Sequence, residues 1–203
     1  MVLAPHTDDG EFGCGGTIAR LIEEGTDVFY TAFSACEESV PAPHPPDVLR
    51  REMRDAMSVF GIPDDRVVLH DYHVRQFPAV RQDILQDIVD IRNDVQPDLV
   101  FLPCEADLHQ DHQTVTQEGI RAYKDRTVIG YELPWNNLRL NASAFFALEE
   151  RHVEKKIEAL ACYKSQSSRN YSDPAFIESL ARTRGVQAGV AYAEVFETVR
   201  WMI

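Results

Sequence analysis

The sequence predicts an α/β fold in which helices cover both faces of a mostly parallel sheet. Two observations carry that expectation. Short apolar runs alternate with amphipathic stretches in βαβα order along most of the chain, and that order implies parallel strands joined by helical crossovers. The run Leu99-Val100-Phe101-Leu102 is continuously apolar between breakers, the pattern of a strand buried on both faces. The length of 203 residues fits a single domain, residues 1–203.

The elements follow in order. Val2-Leu3-Ala4 is a short first strand running into a polar loop. Thr17 to Glu24 carries Ile18, Leu21 and Ile22 at helical spacing, with Gly25 as its C-cap. Asp27 to Phe33 is rich in β-branched and aromatic residues and reads as a strand. Asp47 to Phe60 is helical and is stopped by Gly61-Ile62-Pro63. Val67 to Leu69 is a strand, and Val80 to Val95 a helix with Ile84, Leu85, Ile88 and Ile91 on one face. After the buried strand come a helix from about Asp111 to Tyr123 and a strand from Thr127 to Tyr131. Ala144 to Leu148 reads as one more strand, Val153 to Tyr163 as a helix, and Pro174 to Leu180 as the start of another. The pattern from Val195 to Ile203 fits strand and helix equally. Ser39 to Pro46 holds four prolines in eight residues. It is neither helix nor central strand, and its place after the second strand makes it a lid or a pocket wall.

Composition narrows the function. A net charge of −13 repels nucleic acid and anionic lipid, so neither is an expected partner. No apolar run reaches the ~18 residues of a membrane span, and Met1 to Pro5 does not read as a signal peptide. Cys14, Cys36, Cys104 and Cys162 form no CxxC pair. They read as reduced thiols in a cytoplasmic protein.

Two clusters carry chemistry. Pro5-His6-Thr7-Asp8-Asp9-Gly10-Glu11 follows the first strand directly. An imidazole and a carboxylate are good zinc ligands, and one tight turn can aim His6 and Asp9 at a single point. Asp8 is then free to act as a base. The glycines of Phe12-Gly13-Cys14-Gly15-Gly16-Thr17 match neither GxGxxG nor a P-loop; close backbone packing beneath the site is their better use. Asp107-Leu108-His109-Gln110-Asp111-His112 follows the buried strand. If the two strands are neighbours, His112 or His109 supplies a third ligand, the open arrangement of catalytic zinc. The other histidine can then donate to an oxyanion, and Asp111 can fix the orientation of a ring. His44, His70, His73 and His152 read as surface or structural. After the last clear strand, Trp135 can stack on a sugar face, and Asn136 and Asn137 can bind hydroxyls. Arg50 or Arg51, beside the proline-rich loop, can meet an acidic sugar or phosphate.

PHTDDGEFGCGGT followed about a hundred positions later by HQDHQTV resembles the LmbE-like, or PIG-L, family of N-acetyl-sugar deacetylases. KKIEALACYKSQ and RGVQAGVAYAEVF are similar to that family's C-terminal blocks. The resemblance implies a Rossmann-like three-layer αβα fold and hydrolysis of the acetamide of an N-acetylglucosamine-type sugar or glycoconjugate. It implies zinc, or another divalent metal, on His6, Asp9 and His112. It makes Asp8 the general base, His109 the stabiliser of the oxyanion and Asp111 the carboxylate partner of His109. Assembly as a homo-oligomer, trimer or hexamer, follows from the same resemblance. The sequence departs from the family pattern at Thr7, where proline is usual. Gly10-Glu11 stands where the family glutamate follows directly, and Asp107 where some members carry a tyrosine. Two other readings compete: a metal-dependent hydrolase of another C–N bond, and a non-catalytic metal- or nucleotide-binding module on a Rossmann-like sheet.

Overall fold

The computed structural model describes residues 1–202. Seven strands, β1 (Val2–His6), β2 (Tyr30–Ser34), β3 (Val67–Leu69), β4 (Leu99–Pro103), β5 (Thr127–Tyr131), β6 (Ala144–Leu148) and β7 (Tyr192–Arg200), form one sheet in the order β3-β2-β1-β4-β5-β7-β6. The first five in that order are parallel. β7 runs antiparallel to both β5 and β6. The long helices are α1 (Asp9–Glu23), α2 (Val48–Phe60), α3 (Arg81–Val95), α4 (Gln110–Ala122), α5 (Glu150–Leu160) and α6 (Pro174–Ala188).

The central strands are apolar throughout because both of their faces are covered. Val2 and Ala4 of β1 join Phe101 of β4 in one core, with residues of α1, α2 and α5. Leu3, Val100 and Leu102, one position out of phase, pack with residues of α3 and α4 in the other. Successive strand residues point to opposite faces, so the two cores make three layers. α6 packs on β7 and α5. Among the described residues, no helix is long and apolar enough to cross a membrane, and all four cysteines are unpaired.

The differences from the sequence-based expectation have local causes. The strand expected from Asp27 begins at Tyr30, because Tyr30 is the first residue opposite both Val2 of β1 and Val67 of β3; before it only the Phe29 carbonyl reaches β1, accepting from Val2 N (2.8 Å). α5 starts before Val153 because Glu149 and His152 cap its N-terminus reciprocally. The segment left open after Val195 is strand β7; Ile203 lies outside the described residues.

The largest difference is α1. It begins at Asp9, well before Thr17, and takes in the glycine run with a kink at Cys14 (φ −143°). A Cβ on Gly13 would lie 2.2 Å from the Tyr131 ring, so only glycine lets this turn meet the sheet. The kink frees amide groups, and Glu194 of β7 accepts from Gly16 N (3.0 Å) and Thr17 N (2.7 Å). Lys156 of α5 donates to Glu194 (2.7 Å) and to the Phe12 carbonyl (2.6 Å). A buried ion pair thus sits where a helix N-terminus would otherwise go uncapped.

Candidate active site

β1 and β4 are neighbours, and the strand order reverses between them. Ligands bind outside the carboxyl ends of strands at such a point. His6 ends β1, the 104–109 loop leaves β4, and His112 lies in the first turn of α4. The two sequence clusters therefore converge on one cleft of about 350 Å³, lined by Asp8, Asp9, His109 and His112 among others.

Three atoms meet at its base. His6 Nδ1 is 3.0 Å from Asp9 Oδ2, His112 Nε2 is 3.2 Å from the same oxygen, and the two nitrogens are 3.2 Å apart. The outer nitrogens face carboxylates: His6 Nε2 is 3.1 Å from Asp111 Oδ2 and His112 Nδ1 is 2.8 Å from Asp107 Oδ2. A carboxylate only accepts, so each outer nitrogen carries its proton. The inner nitrogens then present lone pairs to each other and to Asp9. Three facing acceptors repel unless positive charge sits among them. The imidazoles express that demand: burial lowers their proton affinity, yet Asp9 and the outer carboxylates overcome it, raising His6 and pushing His112 up to about 10. Against burial, which favours the neutral acid, His112 and His6 hold the Asp9 carboxyl well below its ordinary range. The set of two imidazoles and one carboxylate fits a divalent cation, since ligands around tetrahedral zinc stand about 3.3 Å apart for bonds of about 2.0 Å. His6, His109 and His112 also offer nitrogens within 4.8 Å of one another. Asp9 makes the tighter set and brings the compensating charge.

Two groups at the cleft have free reactive atoms. The Asp8 carboxyl lines the cleft and is bonded by no other residue among those described, and burial with the neighbouring Asp9 charge pushes it up to about 6. His109 Nδ1 accepts the Asp111 amide (3.2 Å), which leaves the proton on Nε2. Burial, His112 and His6 push His109 down to about 4, so the ring is neutral.

Four of the expected side chains have other partners in the structure. Asp111 is not the carboxylate partner of His109: it holds His6, and it also accepts the backbone amides of Arg75 and Phe77 (3.2 Å for Phe77). Arg50 is outside the cleft, its guanidinium paired with Glu37 (2.6 Å) and Asp71; Arg51 pairs with Asp47. Asn137 spends its side-chain oxygen on the Leu133 amide (2.6 Å), holding a turn. Trp135 and Asn136 do line the cleft, though one Trp135 face is covered by Tyr171, stacked at 3.9 Å. The remaining histidines stay off it: His70 stacks on Phe33, His73 meets Glu38 and His152 caps α5.

Sequence reasoning gave no role to several residues that the structure brings in. Asp107 orients His112, and its spacing of five from that histidine was the available signal. Fully buried Glu11 meets the hydroxyls of Tyr30 and Tyr163 (2.5 Å for Tyr163), and Tyr163 also lies 2.6 Å from the Thr7 carbonyl. Burial pushes Glu11 up to about 8. This clamp fixes the His6–Asp9 turn from below. Arg75 and Arg169 line the cleft walls, and nothing in their local sequence marks them.

Residues 1–123 match the family model described as PIG-L, GlcNAc-PI de-N-acetylase, and the chain belongs to this family. The curated relatives it matches are named deacetylases, hydrolases of amide bonds. The chain is 28% identical over 173 residues to the uncharacterized deacetylase YaiS of Escherichia coli, covering 81% of this chain and 90% of that protein. Among solved structures it resembles the conserved protein TT1542 of Thermus thermophilus with a TM-score of 0.81 at 24% identity, covering 100% of this chain and 94% of that one. It resembles the N,N'-diacetylchitobiose deacetylase of Pyrococcus horikoshii with a TM-score of 0.81 at 20% identity, covering 97% of this chain and 81% of that one. The fold is therefore the LmbE-like one.

Proposed function

We propose that this protein is a metal-dependent deacetylase of N-acetylated, N-acetylglucosamine-type sugars. The observation that carries the reading is the convergence of His6 Nδ1, Asp9 Oδ2 and His112 Nε2 at 3.0–3.2 Å, each ring held by a carboxylate behind it. His6, Asp9 and His112 would hold zinc or another divalent cation. When bound, the cation supplies Lewis acidity, which acidifies water and polarises the acetyl carbonyl.

The chain's own groups do the rest. Asp8, bonded by no other described residue and at about 6, takes a proton from the attacking water as the C–O bond forms. His109 donates its Nε2–H to the oxygen on which negative charge develops. The C–N bond then breaks, and Asp8 returns its proton to the departing amine. Asp8 thus serves both steps without a tyrosine donor. Asn136 offers its amide to sugar hydroxyls, and Trp135 the part of its ring left exposed beside Tyr171 and Phe12. The family description and the chitobiose deacetylase support an N-acetylated sugar as substrate. Trimeric or hexameric assembly and a cytoplasmic location complete the proposal.

Elemental analysis should find about one divalent ion per chain. Amine release from N-acetylated sugars should stop with chelator and return with metal. Asp8→Asn should keep the metal and lose most of the turnover. Full metal content in His112→Ala, or full activity in Asp8→Asn, would refute the assignments.

A further inference from the structure

The cleft walls carry a charge that hydrolysis of a neutral acetamide does not use. Of the sixteen arginines, eleven pair with a carboxylate, as a chain of net charge −13 readily allows. Arg75 and Arg169 do not, and both line the catalytic cleft. Among the described residues their guanidinium groups hydrogen-bond only hydroxyls: Arg75 Nη2 donates to Ser39 Oγ (2.7 Å), and Arg169 donates to the Tyr171 hydroxyl and lies 5.6 Å from that ring's centre. Each guanidinium has five N–H donors in a planar fork that fits carboxylate or phosphate, so most of each fork stays unused.

The backbone of Arg75 shows that its place is held. Its φ is +68°, a left-handed conformation that favours glycine. The amide in this turn donates to Asp111, whose same oxygen meets His6 Nε2. One carboxylate therefore fixes both a candidate metal ligand and an arginine in the cleft wall. Arg169 comes from the chain after α5 and lines the same cleft as Asp8.

We propose that Arg75 and Arg169 are specificity-determining residues that bind an anionic substituent, a carboxylate or a phosphate, on the N-acetylated sugar. The preferred substrate class is thus an acidic amino-sugar derivative rather than a neutral sugar. This rests on the deacetylase reading of the same cleft.

The test compares kcat/KM on N-acetylglucosamine with that on N-acetylglucosamine 6-phosphate, N-acetylglucosamine 1-phosphate and N-acetylmuramic acid. The metal-loaded wild type should favour at least one acidic sugar about tenfold or more, the worth of a charge-assisted contact. That ratio should collapse about ten- to a hundredfold in Arg75→Gln and Arg169→Gln, recover only in part in Arg75→Lys, and stay put in Arg50→Gln. Comparing the phosphates with the lactyl carboxylate identifies the anion. Calorimetric titration with glucosamine 6-phosphate, and with muramic acid, supplies a readout without turnover. Arg169→Gln, at an ordinary backbone position, covers the case in which Arg75→Gln does not fold. Equal turnover of neutral and acidic sugars, with ratios unmoved in the variants, overturns the inference and leaves the deacetylase reading intact. Arginine-dependent binding of the acidic amines with no deacetylation of any sugar overturns the deacetylase reading and leaves the anion site standing.

Discussion

Asp111→Asn should loosen metal binding without unfolding the protein. Three donors converge on this carboxylate: the His6 ring, the Arg75 amide and the Phe77 amide. Asparagine has almost the same shape but a single acceptor oxygen, and its NH₂ can accept from none of the three. At least one donor is left unsatisfied in a buried place, which costs about 1–3 kcal/mol. The His6 ring also loses the negative charge that fixes its tautomer and raises its basicity. Loss of such a carboxylate behind a ligating histidine weakens metal binding about ten- to a hundredfold. Competition of the purified protein against a calibrated fluorescent chelator measures the dissociation constant directly. The thermal midpoint of the metal-free variant reports any structural loss separately. A dissociation constant within threefold of wild type would show that Asp111 does not orient a ligand.

Further outcomes follow from other parts of the molecule. Gly13→Ala places a methyl 2.2 Å from Tyr131; overpacking of this kind costs about 1–3 kcal/mol, so the calorimetric midpoint should fall by several degrees. Arg50→Ala removes two surface ion pairs, each worth about 0–1 kcal/mol, and, lying outside the cleft, should leave kcat/KM within twofold in a steady-state assay. In a pH–rate profile the acidic limb should fall at or below about 6, the value to which burial and Asp9 raise Asp8. The ionised base exists above that pKa, so a limb above pH 7 would exclude Asp8 as the base. Lys156→Met leaves the buried Glu194 charge unpaired, a loss of about 3–5 kcal/mol; Lys156→Met with Glu194→Gln should recover part of it in chemical denaturation.

The parallel sheet and the two chemical clusters were legible because they depend on local pattern. A run such as Leu99–Leu102 has to be apolar when both faces are buried, and His6-Thr7-Asp8-Asp9 has to follow its strand closely to reach the sheet edge. What stayed hidden depends on contacts between distant segments. The glycine run suggested a loop because glycine weakens helices, yet Tyr131 and Glu194 make those glycines helical. Asp111 sits one residue from His112 and two from His109, so proximity suggested those rings; α4 turns its carboxylate to His6 instead. Arg50 and Arg75 look alike in sequence. Only the positions of Glu37 and Asp71, against that of Asp111, decide which one faces the cleft.

The Glu194 cap has a consequence for how the protein is made. The amides of Gly16 and Thr17 wait for an acceptor 177–178 residues away, in a strand wedged between β5 and β6. Every residue between Thr17 and Glu194 has to be synthesised before that carboxylate emerges. Helix α1 therefore gains this cap only once β7 is in place, and a chain truncated before Glu194 would expose that helix to proteases.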